Sequence, residues 1–264
     1  MGASRDLTYS TYLELDRLLD LQHPASKPEE HDEMLFIIIH QVYELWFKIL
    51  LSEFETLNAH LSSNHLYRSM HTLKRVRMIL KTLVNQLDIL ETMTPLSFTS
   101  FRDRLETASG FQSSQYREVE FLLGRKRAEF LKNFDKDSRD HARLTKRLTQ
   151  RSVVDHLYDF LEHRGATIPE ELRAKSVEES TRPNAEVQQA ALTMYREMPD
   201  VALLFELLVD IDEGFQEWRY RHVKIAERTI GNKRGTGGST GVEYLKKAVY
   251  LQFFPDLWAI RHHL

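Results

Sequence analysis

Apolar and polar positions along this chain repeat almost throughout with helical spacing. Residues 31–61, HDEMLFIIIHQVYELWFKILLSEFETLNAHL, are apolar nearly all round in their first half, which predicts a long helix with no face to give to water and so a central place in the fold. Phe36, His40, Phe47 and Leu51 lie along one line of it, with Phe36 and His40 one turn apart. Met70, Leu73, Val76, Leu80, Leu83 and Leu87 predict an amphipathic helix over 67–92, ended by Pro95. A further long helix is predicted over 201–229, after Pro199. In it Phe215, Trp218, His222, Ile225, Ala226 and Thr229 share a side, while Glu217, Arg219, Arg221, Lys224 and Arg228 fall mostly on the other. Shorter helices are expected over 8–22, from 97 onward, after a polar turn within 109–124, and over 145–165, 185–198, 244–254 and 256–263. Ser26 with Glu29 offers a capping box before the central helix, and Gly231 can serve as an αL cap. No strand-and-turn rhythm is visible, so the prediction is all-α, with residues 1–264 forming one large helical domain.

Composition narrows the chemistry. With 42% hydrophobic and 28% charged residues, the chain reads as globular. Absence of cysteine excludes disulfides, thiolate metal sites and a cysteine nucleophile, so any metal must be held by histidine or carboxylates. The net charge is −3, with basic residues spread among acids, which leaves no footprint for nucleic acid or an anionic membrane. No run of about 18 apolar residues and no signal-peptide order is found, which predicts a cytoplasmic protein whose partner is a small molecule or another subunit.

Five of the ten glycines lie between Gly231 and Gly241, just past the histidine helix, where backbone can approach a ligand closely. The stretch fits neither a P-loop nor a dinucleotide fingerprint. A lone histidine on an apolar stripe is usually a core residue, but His40 and His222 on two separate buried helices point to a shared pocket. Buried histidines in an all-helical chain suggest a carboxylate-bridged di-iron bundle or a haem protein. The first demands Glu-x-x-His on each of two helices, and not one of the twelve histidines has a glutamate three residues before it. No H-E-x-x-H occurs either. The GGSTG of residues 237–241 matches G-x-S-x-G, but a helix precedes it where a nucleophile elbow needs a strand, so Ser239 is not read as a nucleophile. Haem with one axial histidine is left. The acidic run Asp210, Asp212, Glu213 reads as solvated or paired to arginine. Arg102, alone a surface residue, could hold a carboxylate beside a buried cleft.

At these residues the chain resembles the tryptophan 2,3-dioxygenase family, haem enzymes that open the indole ring. The motifs LTYSTYLELDRLL, HDEMLFIIIHQVYELWFK, LETMTPLSFTSFRDRL, SGFQSSQYR, WRYRHV and GNKRGTGGSTG occur in the family's order, and the likeness covers nearly the whole chain, weakest over 126–187, which reads as a peripheral helical insertion. The resemblance implies haem b with His222 as its iron ligand and His40 on the opposite face near the indole N–H. It places Phe36 against the indole, Arg102 on the substrate carboxylate and Thr236 in a loop closing over the amino-acid end. Phe98 matches a position that is tyrosine in some members; phenylalanine packs there but donates no hydrogen bond. Ser109 and Gly110 match a turn at the haem edge. Tyr9, Tyr12 and Leu13 match part of an N-terminal arm, residues 1–25, that reaches a neighbouring subunit's pocket in a homotetramer built as a dimer of dimers. The activity implied is addition of O2 across the indole C2–C3 bond of L-tryptophan to give N-formylkynurenine. Two alternatives stay open: a related haem enzyme acting on a substituted indole, and a non-catalytic haem-binding helical module.

Overall fold

The computed structural model describes residues 7–231, 233 and 241–264. Among them there is no strand. In chain order the helices are α1 (Tyr9–Leu13), α2 (Leu15–Leu18), α3 (His31–Ser62), α4 (Leu66–Leu90), α5 (Pro95–Arg102), α6 (Ser114–Leu122), α7 (Arg139–Leu148), α8 (Val153–His163), α9 (Glu170–Ala174), α10 (Ala185–Glu197), α11 (Pro199–Ile230), α12 (Val242–Lys246) and α13 (Pro255–Ala259).

Three long helices carry the fold. Leu50, Phe54, Leu57 and Leu61 of α3 are fully buried, each contributing roughly 1.5–3 kcal/mol by leaving water. Helix α4 turns Leu73, Val76, Leu80 and Leu87 inward and lies between α3 and α11. At Gly214 of α11 a Cβ would sit 3.1 Å from Leu80 Cδ1 and 3.2 Å from its Cβ, so the missing side chain lets α11 and α4 approach closely. Helices α6 and α8 pack on α3, and α10 on α11.

The first half of α3 keeps an apolar outer face. Met34, Ile38, Leu45 and Ile49 are exposed at spacings of one helical stripe. By length and composition α3 could cross a membrane, with mean hydropathy 1.6 over a window of which 28% is buried. Its second half is instead core.

Several local expectations change. The helix expected over 8–22 is broken at Glu14, which sits in the left-handed region with φ +54°. Neither α1 nor α2 has a buried residue, and helices this short are marginal without packing to hold them. Ser26 does cap the approach to α3, but with Glu33 in place of Glu29. Buried Glu33 accepts from the backbone N–H of Ala25 (2.8 Å) and Ser26 (3.0 Å) and from Ser26 Oγ, which itself accepts from Glu30 N–H (2.9 Å). Pro95 opens α5 behind the N-cap Thr94. The helix expected over 145–165 is two, because Ser152 and Asp155 form a capping box that starts α8 anew, and Leu157, Phe160 and Leu161 of α8 join the main core. The helix expected over 244–254 stops at Lys246. Gly231 does need a positive φ (+57°), but its ψ of −134° is not the αL conformation.

Asp212 departs furthest from expectation. It is fully buried and accepts from Phe253 N–H (2.6 Å), Phe254 N–H (2.9 Å) and Trp258 Nε1–H (3.1 Å), which pins the C-terminal segment to the middle of α11. Asp210, by contrast, pairs with Arg77 at 3.2 Å, as expected of it.

Candidate active site

Helices α3, α5, α6 and α11 and the segment around α12 enclose a cavity of about 280 Å³, near the lower end of the roughly 300–1,000 Å³ usual for small-molecule sites. His40 and His222 both line it. Phe36 and His40, one turn apart on α3, lie with ring centroids 4.1 Å apart and their planes tilted by 40°. The His40 ring meets the Phe36 carbonyl through Nδ1 at 2.7 Å. A carbonyl only accepts, so Nδ1 carries the proton and Nε2 of the neutral ring is left as an acceptor. Burial, outweighing the Phe36 carbonyl and the Glu44 carboxylate, holds the His40 pKa below its ordinary value.

His222 is half-buried by surface, and the surface it leaves open is cavity wall. Burial first, and His40 second, push its pKa down to about 4, so the imidazole is neutral at pH 7. One turn earlier on α11, Trp218 lies parallel to it at 5.7 Å and 12°. Trp218 is itself wedged against Tyr116 at 5.2 Å and edge-on to Phe47 at 6.1 Å, which fixes the wall from which His222 projects. Among the described residues no cluster of three or more histidines and carboxylates could hold a bare metal ion; a neutral buried imidazole on a cavity wall suits a metal that brings most of its own ligands.

The remaining predicted residues divide. Helix α5 places buried Phe98 5.8 Å from Phe36 and brings Arg102 to the cavity; Phe101 backs this group at 5.6 Å from Phe36. Ser109 and Gly110 also line the cavity. A Cβ added to Gly110 would meet no atom within 4 Å, so the protein's own packing does not demand glycine there, whereas a flat group lying against that turn would. Tyr9 (77% exposed), Tyr12 (69%) and Leu13 (40%) stand on the surface and take no part in this chain's own cavity. Thr236 and Ser239 lie outside the described residues.

Sequence reasoning missed a charged end of the same cavity. Arg117, Glu120 and Arg127 line it, as does Arg219, which the periodicity of α11 assigns to the outer, charged side. Arg219 is only 4% exposed, because Tyr116 and the C-terminal segment cover that turn: its Nε donates to Tyr116 Oη (3.3 Å) and its Nη1 to the Leu251 carbonyl (2.8 Å). A helix buried on two sides has no charged face to read. The one sequence signal was that Arg117 and Arg219 fall within SGFQSSQYR and WRYRHV.

The tryptophan 2,3-dioxygenase family model matches residues 2–171 and 180–264, breaking off within the stretch where the likeness was expected to be weakest. The tryptophan 2,3-dioxygenase of Herpetosiphon aurantiacus is 51% identical over 99% of this chain and 100% of its own length. That of Anaeromyxobacter sp. strain K is 49% identical over 98% of this chain and 96% of its own length, and that of Serratia proteamaculans 42% over 98% and 93%. With paired cavity histidines on α3 and α11 and likeness over nearly every residue, this chain belongs to the tryptophan 2,3-dioxygenase family.

Proposed function

We propose that the chain is a haem-dependent dioxygenase that cleaves the indole C2–C3 bond of L-tryptophan with O2, both oxygen atoms entering N-formylkynurenine. The observation that carries this reading is the pair His40 and His222 on the walls of one cavity, each held neutral by burial. Haem b fits the residues present: a neutral imidazole to ligate iron, an aromatic wall, and a glycine turn with open space where a Cβ would stand. When bound, ferrous haem supplies an open coordination position and the oxygen chemistry.

The chain's own residues do the rest by binding and orientation. His40 Nε2, the free acceptor of a ring locked by the Phe36 carbonyl, takes the indole N–H and so sets which edge of the indole faces the oxygen. Phe36 and Phe98 pack the indole plane; Phe98 gives shape without a hydrogen bond. Arg102 holds the substrate carboxylate, and the family resemblance assigns Thr236, outside the described residues, to the amino-acid end of the substrate. Ser109 and Gly110 support the haem edge. The apolar surroundings exclude water from the reacting bond.

The same reading makes the protein cytoplasmic and a homotetramer built as a dimer of dimers, with residues 1–264 as one domain, 126–187 at its periphery and the 1–25 arm serving a neighbour. Its support is the surface left open: Tyr9, Tyr12 and the α3 stripe of Met34, Ile38, Leu45 and Ile49 are apolar and exposed, and another copy of the chain would cover them. Spectroscopy tests the haem assignment. Purified protein should carry haem with a histidine-ligated Soret spectrum, and His222→Ala should not retain it; stoichiometric haem with an unchanged spectrum in that variant refutes the assignment.

A further inference from the structure

A metal-ligating imidazole is ordinarily held in one orientation by a hydrogen bond from its second ring nitrogen. The ring nitrogens of His222 meet no hydrogen-bond partner among the described residues. What orients the ring from this chain's side is a stack instead, with Trp218 parallel to it at 5.7 Å and 12°. The direction in which His222 projects therefore depends on what holds Trp218.

Tyr43 is placed to hold it. This residue stands on α3 three positions after His40, is 8% exposed, and lines the same cavity as both histidines. Its ring lies 6.1 Å from that of Trp218, inclined at 54°. Its hydroxyl donates to the Leu83 carbonyl of α4 at 2.6 Å. Burial, outweighing Trp218 and Arg221, raises the Tyr43 pKa to about 12, so the hydroxyl keeps the proton that it gives to Leu83. Its oxygen still has lone pairs to offer. On the α11 side the Trp218 indole N–H is buried without an acceptor in full hydrogen-bond geometry, and the Tyr43 oxygen is the side-chain group it acts on. One side chain thus ties α3, α4 and α11 together between the two cavity histidines.

We infer that Tyr43 is a positioning residue for His222: through Trp218 it sets the orientation of the imidazole, and from the helix of His40 it fixes the separation of the two histidine-bearing walls. The inference rests on the haem reading above and adds to it how the iron ligand is oriented without a hydrogen bond of its own. The hydroxyl, more than the ring, carries the role, because it alone reaches α4 and the Trp218 N–H.

The test is Tyr43→Phe, which removes one oxygen and keeps the ring. Haem-loaded, reduced protein is followed by the iron–histidine stretching band in resonance Raman spectra and by steady-state turnover of tryptophan. The variant should hold stoichiometric haem with a shifted or broadened band, and its KM should stay within about twofold of wild type while kcat falls roughly tenfold. Trp218→Phe, which keeps a stacking ring but loses the N–H, should move the same band, and the double variant should be no worse than either single one, since residues acting through one contact are not additive. Val76→Ala opens a cavity in the buried face of α4 about two turns before Leu83 and controls for general loosening; its band should match wild type. A wild-type band and kcat in Tyr43→Phe, or an equal shift in Val76→Ala, overturns the inference and leaves the haem reading standing. Should Tyr43→Phe not fold, an unmoved band in Trp218→Phe overturns it equally. Absence of an iron–histidine band in the wild type overturns both readings.

Discussion

Replacing Asp212 by asparagine tests how the C-terminal segment is held beside the site. The carboxylate accepts three N–H groups, from Phe253, Phe254 and Trp258. Asparagine keeps one carbonyl oxygen, but its NH2 is turned toward a donor, and a buried donor left without an acceptor costs about 1–3 kcal/mol. A second effect depends on pH. Burial outweighs the three hydrogen bonds and pushes the Asp212 pKa up to about 6, from 3.8. The folded chain therefore binds this proton more tightly than the unfolded chain. The resulting stability is fully present below about pH 3.8 and is lost as pH rises through about 6, a loss of about 3 kcal/mol for a shift near two units. Asparagine does not titrate. The stability gap between wild type and Asp212→Asn should thus be widest near pH 4.5 and narrow by pH 7.5. Urea unfolding followed by far-UV circular dichroism, at matched protein concentration and haem content, measures it. A gap that stays constant, or widens with rising pH, refutes the reasoning: the three donors would then stabilise the charge more than burial opposes it.

Other outcomes follow from the site and the core. Arg102→Ala should weaken apparent tryptophan affinity by about 2–5 kcal/mol, since the substrate carboxylate loses a charged partner in a buried place; steady-state kinetics showing an unchanged KM would remove Arg102 from the clamp. Because burial holds His40 below its ordinary pKa of 6.5, tryptophan turnover should not fall with acid until below that pH, and a pH profile with its limb at or above 6.5 would contradict a neutral His40. Phe54→Ala, at a fully buried position of α3, should cost about 3–5 kcal/mol of stability, measurable by urea unfolding; a loss under 1 kcal/mol would show that α3 is not the central helix there. Diluting the protein to monomers should reduce activity if Tyr9 and Tyr12 serve a neighbour, and fully active monomers would overturn that role.

Legibility followed periodicity. The long helices α3, α4 and α11 were readable because their apolar stripes run for many turns, and His40 and His222 stood out as polar residues on those stripes. What escaped depends on contacts distant in sequence. Asp212 looks like one of an acidic run until Phe253 and Phe254, some forty residues on, present their N–H groups. Arg219 looks solvated until Leu251 covers it. Breaks at Glu14 and Ser152 turn on a lack of packing in one case and a capping box in the other, neither of which a smooth helical period reveals. Roles for Thr236 and the N-terminal arm came from resemblance alone. Phe98 and Arg102 line the cavity, and Phe36 stands behind its wall, 5.8 Å from Phe98, a neighbourhood that the sequence spacing between α3 and α5 could not give.

Turnover with labelled oxygen shows whether this cavity adds O2 to tryptophan. Haem-loaded protein is reduced without air, L-tryptophan is added, then isotopically labelled O2, and the product is followed by absorbance and mass. The expected product is N-formylkynurenine, heavier than tryptophan by one O2 with both labelled atoms retained. A product carrying a single labelled oxygen, or spectral binding of tryptophan with no product at all, would contradict it.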